Sequence, residues 1–566
     1  MATLITSENS IPIEQHFRVS AGPGAGKTYW LIKHIKNVLH TSSRLQKTRK
    51  IACITYTNVA VETIQKRLGN SSNRVEVSTI HSFLYKHIVK PYVSFIAEEY
   101  GLNVELVDGH DDRILSNYSF LGELKSKTEQ KWIQDNQVII SSISKVRWEY
   151  VKNELKIKAT HPVKVGKYFL KKSTYDVYKK MAWAKGVLHH DDLLFFSYHL
   201  LRKFPFIIRV LNAKFPYFFV DEFQDSNPIQ VKILEMIGNR ETKIGVIGDK
   251  AQSIYEFQGA DPKQFENFSL EGLCSYEIHD NRRSSNQIVN FLNHIRTDFA
   301  QQPILNKDAE IPYLFIGDTL IALEKAKSIC GSEEIHVLSY KNETCNAIKQ
   351  NTLGSISGKK FMDEFQVSDS NWDRRNVVLN CAKAIELAKI NNFKDAIKSI
   401  LLLFDNKKKR KKDALNILTT FLKSYDKYAD KNLFNFFDSF INPHLKNHGV
   451  SHPDVTKGKP FEFYSNYTYK QLVTSINLGE TKTLFRTIHK SKGDEFDNVM
   501  LVLKKDSDLD FLLSPNLDGK EIHRVFYVAV SRAKKRLFVT IPSLENNDRE
   551  KLQNLNLQIS DLDDNS

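Results

Sequence analysis

Two short stretches hold the residues whose types and spacing point most directly to chemistry. Ala21-Gly22-Pro23-Gly24-Ala25-Gly26-Lys27-Thr28 follows an apolar run and precedes a helical pattern from Tyr29 to Leu39. Its glycines let backbone N–H groups wrap an anion, and the following helix points its positive end at that anion. Lys27 adds a mobile charge, and Thr28 offers a hydroxyl to Mg²⁺. A purine nucleoside triphosphate is the expected ligand. The second stretch, Phe219-Val220-Asp221-Glu222-Phe223-Gln224-Asp225, ends an apolar run in adjacent carboxylates. Asp221 suits the coordination shell of Mg²⁺, and Glu222 suits orienting and deprotonating an attacking water. Each stretch also has a plainer reading, a Gly/Pro turn and a carboxylate cap on the next helix. Their occurrence together favours hydrolysis of the triphosphate.

Such residues need elements that bring them to one place. Phe17-Arg18-Val19-Ser20, Ile51-Ala52-Cys53-Ile54-Thr55, Tyr217-Phe218-Phe219-Val220 and Lys243-Ile244-Gly245-Val246-Ile247 are short apolar runs ending in small or acidic residues. They read as buried parallel strands, and helical patterns such as Ala60 to Leu68 and Gln230 to Ile237 fill the gaps. This is the alternation of a doubly wound α/β sheet, in which ligands bind at the carboxyl ends of the strands. From about Lys86 to Lys185 the alternation gives way to lysine- and aromatic-rich sequence, including Lys145-Val146-Arg147-Trp148-Glu149-Tyr150, read as a helical insertion. Strand patterns return at Ile335 to Tyr340, Asn498 to Leu503 and Arg536 to Thr540, with a second, mostly helical interruption from about Gly354 to Glu480.

The fold class expected is therefore α/β, with two P-loop-type domains built on parallel sheets, each carrying a mainly helical insertion. Residues 1–85 and 186–300 form the first domain, with 86–185 its insertion. Residues 301–353 and 481–545 form the second, with 354–480 a reduced insertion, and 546–566 is a polar tail expected to fray. The run Lys407 to Lys412 reads as a solvated basic loop.

At 566 residues the chain is too long for one core. Lys+Arg outnumber Asp+Glu by 81 to 66, which favours an acidic polymer as partner. Cys53, Cys274, Cys330, Cys345 and Cys381 are scattered without a Cys-x-x-Cys pair, which argues against a disulfide framework or a zinc site and fits a reducing cytoplasm. Met1 to Glu14 lacks the features of a targeting signal, and no apolar run approaches the ~18 residues of a membrane span, so a soluble cytoplasmic protein without membrane association is expected.

The ordered motifs of this chain resemble those of the UvrD/Rep-like helicases of superfamily 1, from about residue 17 to residue 541. After the phosphate clamp come Thr55-Tyr56-Thr57-Asn58-Val59-Ala60, Ser78-Thr79-Ile80-His81-Ser82-Phe83, and His190-Asp191-Asp192-Leu193-Leu194 before the Asp-Glu strand. Gly248 to Ala260, Asn281-Arg282-Arg283-Ser284, Thr487 to Phe496 with His489 and Glu495, and Val528-Ala529-Val530-Ser531-Arg532-Ala533 complete the order. The resemblance implies two RecA-like domains, ATP with Mg²⁺, and DNA held across the tops of both domains by Tyr56, Asn58, His81, Tyr255, Phe257 and His489.

Within this frame Lys27, Asp221, Glu222, Gln252, Arg283 and Arg532 are the catalytic candidates. Gln252 suits sensing of the γ-phosphate, while Arg283 and Arg532 suit neutralising charge on the transferring phosphoryl group, a role worth ~10³–10⁵ in rate. Gly22, Pro23, Gly24, Ala25, Gly26, Lys27 and Thr28 bind nucleotide, and Thr28 and Asp221 hold the metal. Glu495 suits accepting from the ribose hydroxyl. Three departures from the family stand out. Arg282 occupies the place of a tyrosine that stacks on adenine, and its guanidinium plane is also able to stack. Gln258 stands where an arginine is usual. Gln15 is the nearest candidate for the adenine-reading glutamine, although it lies nearer the clamp than that residue usually does.

The leading expectation is an ATP-dependent helicase or translocase on single-stranded or tailed duplex DNA, with 3′-to-5′ polarity implied by the resemblance. The compact layout also resembles the helicase-like subunit of Gabija-type anti-phage systems, which work with a nuclease. A DNA-stimulated ATPase that regulates a partner nuclease is accordingly the alternative, and the chain leaves no room for an appended nuclease domain. A small-molecule kinase would need neither the Asp-Glu strand nor a second α/β unit.

Overall fold

The computed structural model describes residues 2–107, 113–116, 118–133, 136–144, 146–158, 164–165, 168–349, 358–404, 410–450, 453–476, 483–553 and 555–562. Two compact units divide the chain. The first is Met1–Arg283 with Asp298–Leu305, and the second is Ser284–Thr297 with Asn306–Ser566. The helix Asn286–Ile295, expected in the first unit, therefore belongs to the second.

The first unit is built on a seven-stranded sheet ordered Thr3–Ile5, Cys274–Ile278, Phe17–Ala21, Lys243–Gly248, Tyr217–Val220, Ile51–Thr55, Val75–Thr79. All its pairings are parallel. Tyr217–Val220 and Ile51–Thr55 are buried at every position, as an apolar run covered on both faces must be. Val75–Thr79 at the edge instead alternates buried and half-buried residues. In register, Gly248 lies beside Ser20, and Val220 beside both Val246 and Ile54. The segments that follow these strands thus emerge on one rim of the sheet, where the clamp and the carboxylate pair were expected.

The first insertion has its own core, in which Phe120, Leu121, Leu124, Ile139 and Tyr178 pack together. Its helices include Tyr118–Lys127, Asn136–Ile143 and Ser173–Ala184. The stretch around Trp148, expected to be helical, is instead an antiparallel hairpin of Arg147–Val151 with Glu154–Lys158. Two features explain the difference. Lys152 and Asn153 form a two-residue turn with φ of 51° and 64°, the left-handed geometry that matches strand twist, and Trp148 and Tyr150 alternate with charged residues at period two.

The second unit carries a six-stranded parallel sheet ordered Phe485–Thr487, Ile335–Ser339, Phe496–Val502, Ala533–Ile541, Tyr313–Gly317, Gln558–Leu562. The polar tail does not simply fray. It forms the helix Asn546–Gln553 and an edge strand beside Tyr313–Gly317, with Leu562 packed on the core, while Asp563 to Ser566 lie outside the described residues. The second insertion is helical with a separate core, pinned by a buried pair in which Arg374 lies 2.6 Å from Asp369 and the Tyr464 hydroxyl donates to the same carboxylate at 2.9 Å. Of the basic run, Lys407 to Lys409 lie outside the described residues. Arg410 pairs with Asp413 at 3.0 Å, and Lys411 and Lys412 open the helix Lys411–Lys423, so this end of the run is helical and not a plain loop. Among the described residues all five cysteines are free thiols, and no helix is long and apolar enough to cross a membrane.

Candidate functional site

The clamp lies between strand Phe17–Ala21 and helix Lys27–Thr41. Gly24 and Gly26 have φ of 74° and 81°, which only glycine adopts without strain. A Cβ on Gly24 would also stand 2.6 Å from Asn281 Oδ1. The Asn281 and Gln301 amides donate to the Pro23 carbonyl at 3.2 and 2.7 Å, and the Arg282 N–H donates to the Gly24 carbonyl at 2.9 Å. The loop is thus shaped from behind by side chains distant in sequence. Asn281 lay within a recognised motif but had no assigned role, and nothing near Gln301 in sequence signals one. The same contacts bring Arg282 and Arg283 to the clamp, with the Arg283 N–H bonded to Asn281 Oδ1 at 2.9 Å.

Lys27 Nζ donates to the Ala21 and Gly22 carbonyls at 3.3 and 3.4 Å, long contacts that leave its charge ready for a stronger acceptor. Thr28 Oγ1 donates to Asp221 Oδ2 at 3.3 Å. Burial and the neighbouring Glu222 charge push the Asp221 carboxyl far above its ordinary range, against the pull of Lys27. A cation beside Thr28 and Asp221 would reverse that shift. These are hard oxygen donors, and among the described residues no group of three or more His, Cys, Asp or Glu could hold a metal. So sparse a set fits Mg²⁺, which keeps several waters and takes phosphate oxygens.

Glu222 sits at φ 54°, a left-handed conformation that costs ~1–3 kcal/mol in a non-glycine residue and marks functional sites. Its carboxylate accepts from Gln224 Nε2 at 2.5 Å. Gln224 Oε1 accepts from the Asp249 N–H at 3.0 Å, and Asp249 Oδ2 accepts from Gln252 Nε2 at 2.6 Å. Gln224, Asp249 and Gln252 are all buried, so the two inner hydrogen bonds are sheltered from water, while the one to the half-buried Glu222 lies at the edge. The sequence reading singled out the two ends, Glu222 and Gln252, and the structure supplies the links between them.

Three residues beyond Gln252, Tyr255 is buried under Tyr56, whose ring stacks on it with centroids 4.8 Å apart and planes 19° apart. The Tyr56 hydroxyl donates to Gln258 Oε1 at 2.5 Å. Tyr255 therefore supports the platform, while the half-buried Tyr56 and the 54 % exposed Phe257 present faces to solvent. Asn58 is exposed at the start of helix Asn58–Leu68. The His81 ring meets that of His190 edge-on at 5.2 Å.

Gln15 is not brought to the clamp. It precedes the amino end of Phe17–Ala21, whereas the clamp follows the carboxyl end, and its amide donates to the Tyr276 hydroxyl at 2.5 Å. The side chain that does lie by the clamp is Glu8. It accepts from Lys33 at 2.7 Å and Tyr29 at 3.3 Å and stands 4.0 Å from Arg282.

In the second unit, Arg532 is buried and donates to Val528 O at 3.0 Å, Asp494 O at 3.2 Å and Ser531 Oγ at 2.9 Å. Glu495 is about half exposed, 3.8 Å from Lys534. His489 tilts against the exposed Tyr340 at 5.8 Å, an aromatic partner absent from the sequence motifs.

The chain is also similar in sequence to known proteins. Residues 6–271 match the UvrD/REP helicase N-terminal domain family, and residues 387–543 match the UvrD-like helicase C-terminal domain family. The chain is 23 % identical to Gabija protein GajB of Bacillus cereus, over 94 % of this chain and 93 % of that protein. It is 22 % identical to ATP-dependent DNA helicase PcrA of Staphylococcus aureus, over 92 % and 80 % of the two chains. It is 24 % identical to the Bacillus subtilis protein named putative ATP-dependent DNA helicase YjcD, over 93 % and 76 %.

Proposed function

The chain belongs to the UvrD/REP helicase family, and on that premise we propose that it is an ATP-driven motor moving 3′-to-5′ on single-stranded DNA. The observation that carries this reading is the largely buried hydrogen-bond chain Glu222–Gln224–Asp249–Gln252, which joins the carboxylate suited to activating water to the segment bearing the aromatic platform. Thr28 and Asp221 would hold magnesium, which when bound neutralises charge on the phosphoryl oxygens. Lys27 exchanges its long carbonyl contacts for phosphate, and Arg283 and Arg532 add charge in the transition state. Glu222 takes the proton of the attacking water. Arg282 and Glu8 border the place where the nucleoside emerges from the clamp. A change relayed to Gln252 by the hydrogen bonds passes on along the backbone to Tyr255 and Phe257, so nucleotide state alters the grip on stacked bases, each worth ~1–3 kcal/mol.

The test is ATP turnover with and without single-stranded DNA, alongside unwinding of duplexes with 3′ or 5′ tails. Turnover stimulated by DNA and unwinding from the 3′ tail are expected. Lys27→Ala or Glu222→Gln protein that retained wild-type DNA-stimulated turnover would overturn the mechanism.

Similarity to the Gabija protein over nearly the whole of both chains favours a second reading, a DNA-stimulated ATPase that regulates a nuclease partner in anti-phage defence. Stimulated turnover without strand separation by the isolated chain is the result that selects it.

A further inference from the structure

The platform segment Tyr255-Glu256-Phe257-Gln258-Gly259-Ala260 contains no lysine or arginine, and Gln258 is occupied in accepting from Tyr56. Bases stacked there still bring their phosphates to its edge, and single-strand sites pair aromatic faces with backbone charge. The charge comes from elsewhere in the first unit. Arg147 Nη1 reaches within 3.5 Å of where a Cβ on Gly259 would stand. Its charge also acts on the Tyr56 hydroxyl, favouring ionisation against burial and the Asp225 charge, which raise that pKa.

The position of Arg147 is built in. On the next residue, the Trp148 indole N–H donates at 2.9 Å to Asp192, a fully buried carboxylate. Asp192 also accepts from Lys179 at 2.7 Å, Trp183 at 3.1 Å and the His189 backbone at 3.0 Å. With Trp148 held on one face of the hairpin, strand alternation sends Arg147 to the other. There its cross-strand neighbour Lys158 is neutralised by Glu149 at 2.6 Å. Asp191, which accepts from the Trp148 backbone N–H, feels the guanidinium charge, and Asp225 acts together with it on the Tyr56 hydroxyl.

We propose that Arg147 is a phosphate contact of the single-stranded DNA site, supplying from the inserted hairpin the positive charge that the aromatic platform lacks. This rests on the DNA-motor reading above. It also makes the insertion part of the grip on DNA, with Asp192 as the positioning residue behind it.

The test is binding of the full chain to a labelled oligothymidylate across a salt series, for wild type, Arg147→Gln and Arg147→Gln/Gln258→Arg. One lost phosphate contact on a single strand lowers the slope of log K against log salt by about 0.7, which is roughly a fivefold loss of affinity for each tenfold salt dilution below ~1 M. Arg147→Gln is expected to show that loss, and the double variant to recover the slope. An unchanged slope for Arg147→Gln overturns the assignment, whether or not affinity falls, because a merely structural arginine alters affinity without altering ion release. If Arg147→Gln fails to fold, Arg147→Met takes its place, with a reduced slope expected and an unchanged slope again overturning the assignment. A wild-type chain that does not bind the oligonucleotide overturns the motor reading itself.

Discussion

The two units hold the cations proposed to meet phosphate in opposite ways. Lys27, in the first, makes only long contacts to two backbone carbonyls and is half-buried. Arg532, in the second, is buried and already donates to two carbonyls and a hydroxyl of its own unit. A weakly engaged ammonium transfers to an incoming phosphate at little cost. An engaged guanidinium also supports its surroundings, because its removal takes a donor from Val528 O, Asp494 O and Ser531 Oγ. On the proposed reading the first cation is a ligand in waiting, whereas the second serves stability as well as chemistry.

The strongest way to break this contrast is to remove each cation. Arg532→Ala is expected to lower kcat by ~10³ or more, about 4 kcal/mol, and also to lower the melting temperature. Lys27→Ala should abolish turnover with melting close to wild type, so a marked loss of thermal stability in Lys27→Ala would erase the distinction. Asp192→Ala leaves Lys179 buried without its partner and is expected to cost about 3–5 kcal/mol in denaturant unfolding. A cost below ~1 kcal/mol would show that the hairpin is held by other contacts.

The aromatic pairs carry the comparison to the nucleic-acid side. Phe257→Ala should weaken oligothymidylate binding by ~1–3 kcal/mol. Tyr340→Ala, in the tilted and looser pair with His489, should weaken it less, and equal losses in titrations of both would mean that the units grip alike.

The smallest effect, read over one pH unit, is a slope at Asp221. Its folded pKa is raised, so its favourable contribution is complete below the ordinary carboxylate range and is lost as pH rises towards about 7. In nucleotide-free protein, Asp221→Asn should therefore gain stability relative to wild type across that window, by no more than about 1.4 kcal/mol per pH unit. Melting curves at several pH values measure it, and parallel curves would show that the carboxyl is not displaced.

What the sequence made legible was local. The clamp and the Asp-Glu pair are contiguous, and their glycines and carboxylates carry their meaning in one strand–turn–helix. The alternation of apolar runs located most central strands. The hairpin was missed because its turn is Lys-Asn, without the glycine that signals such turns, although Trp148 and Tyr150 alternate correctly. The tail strand was missed because only pairing with Tyr313–Gly317 stabilises so polar a segment. Gln15 was misassigned because nearness along the chain says nothing about which end of a strand a residue occupies.

By itself, then, the sequence determined the family and picked out the loop and the carboxylates proposed to bind and hydrolyse the nucleotide, since these depend on residue types at fixed short spacing. Tertiary structure alone decided what shapes and charges those sites. Gln301 reaches Pro23 across 278 residues, Thr28 meets Asp221 across 193, and Arg147 approaches Gly259 from an inserted hairpin. Such meetings are set by sheet order and core packing, long-range properties that no local pattern of residues encodes.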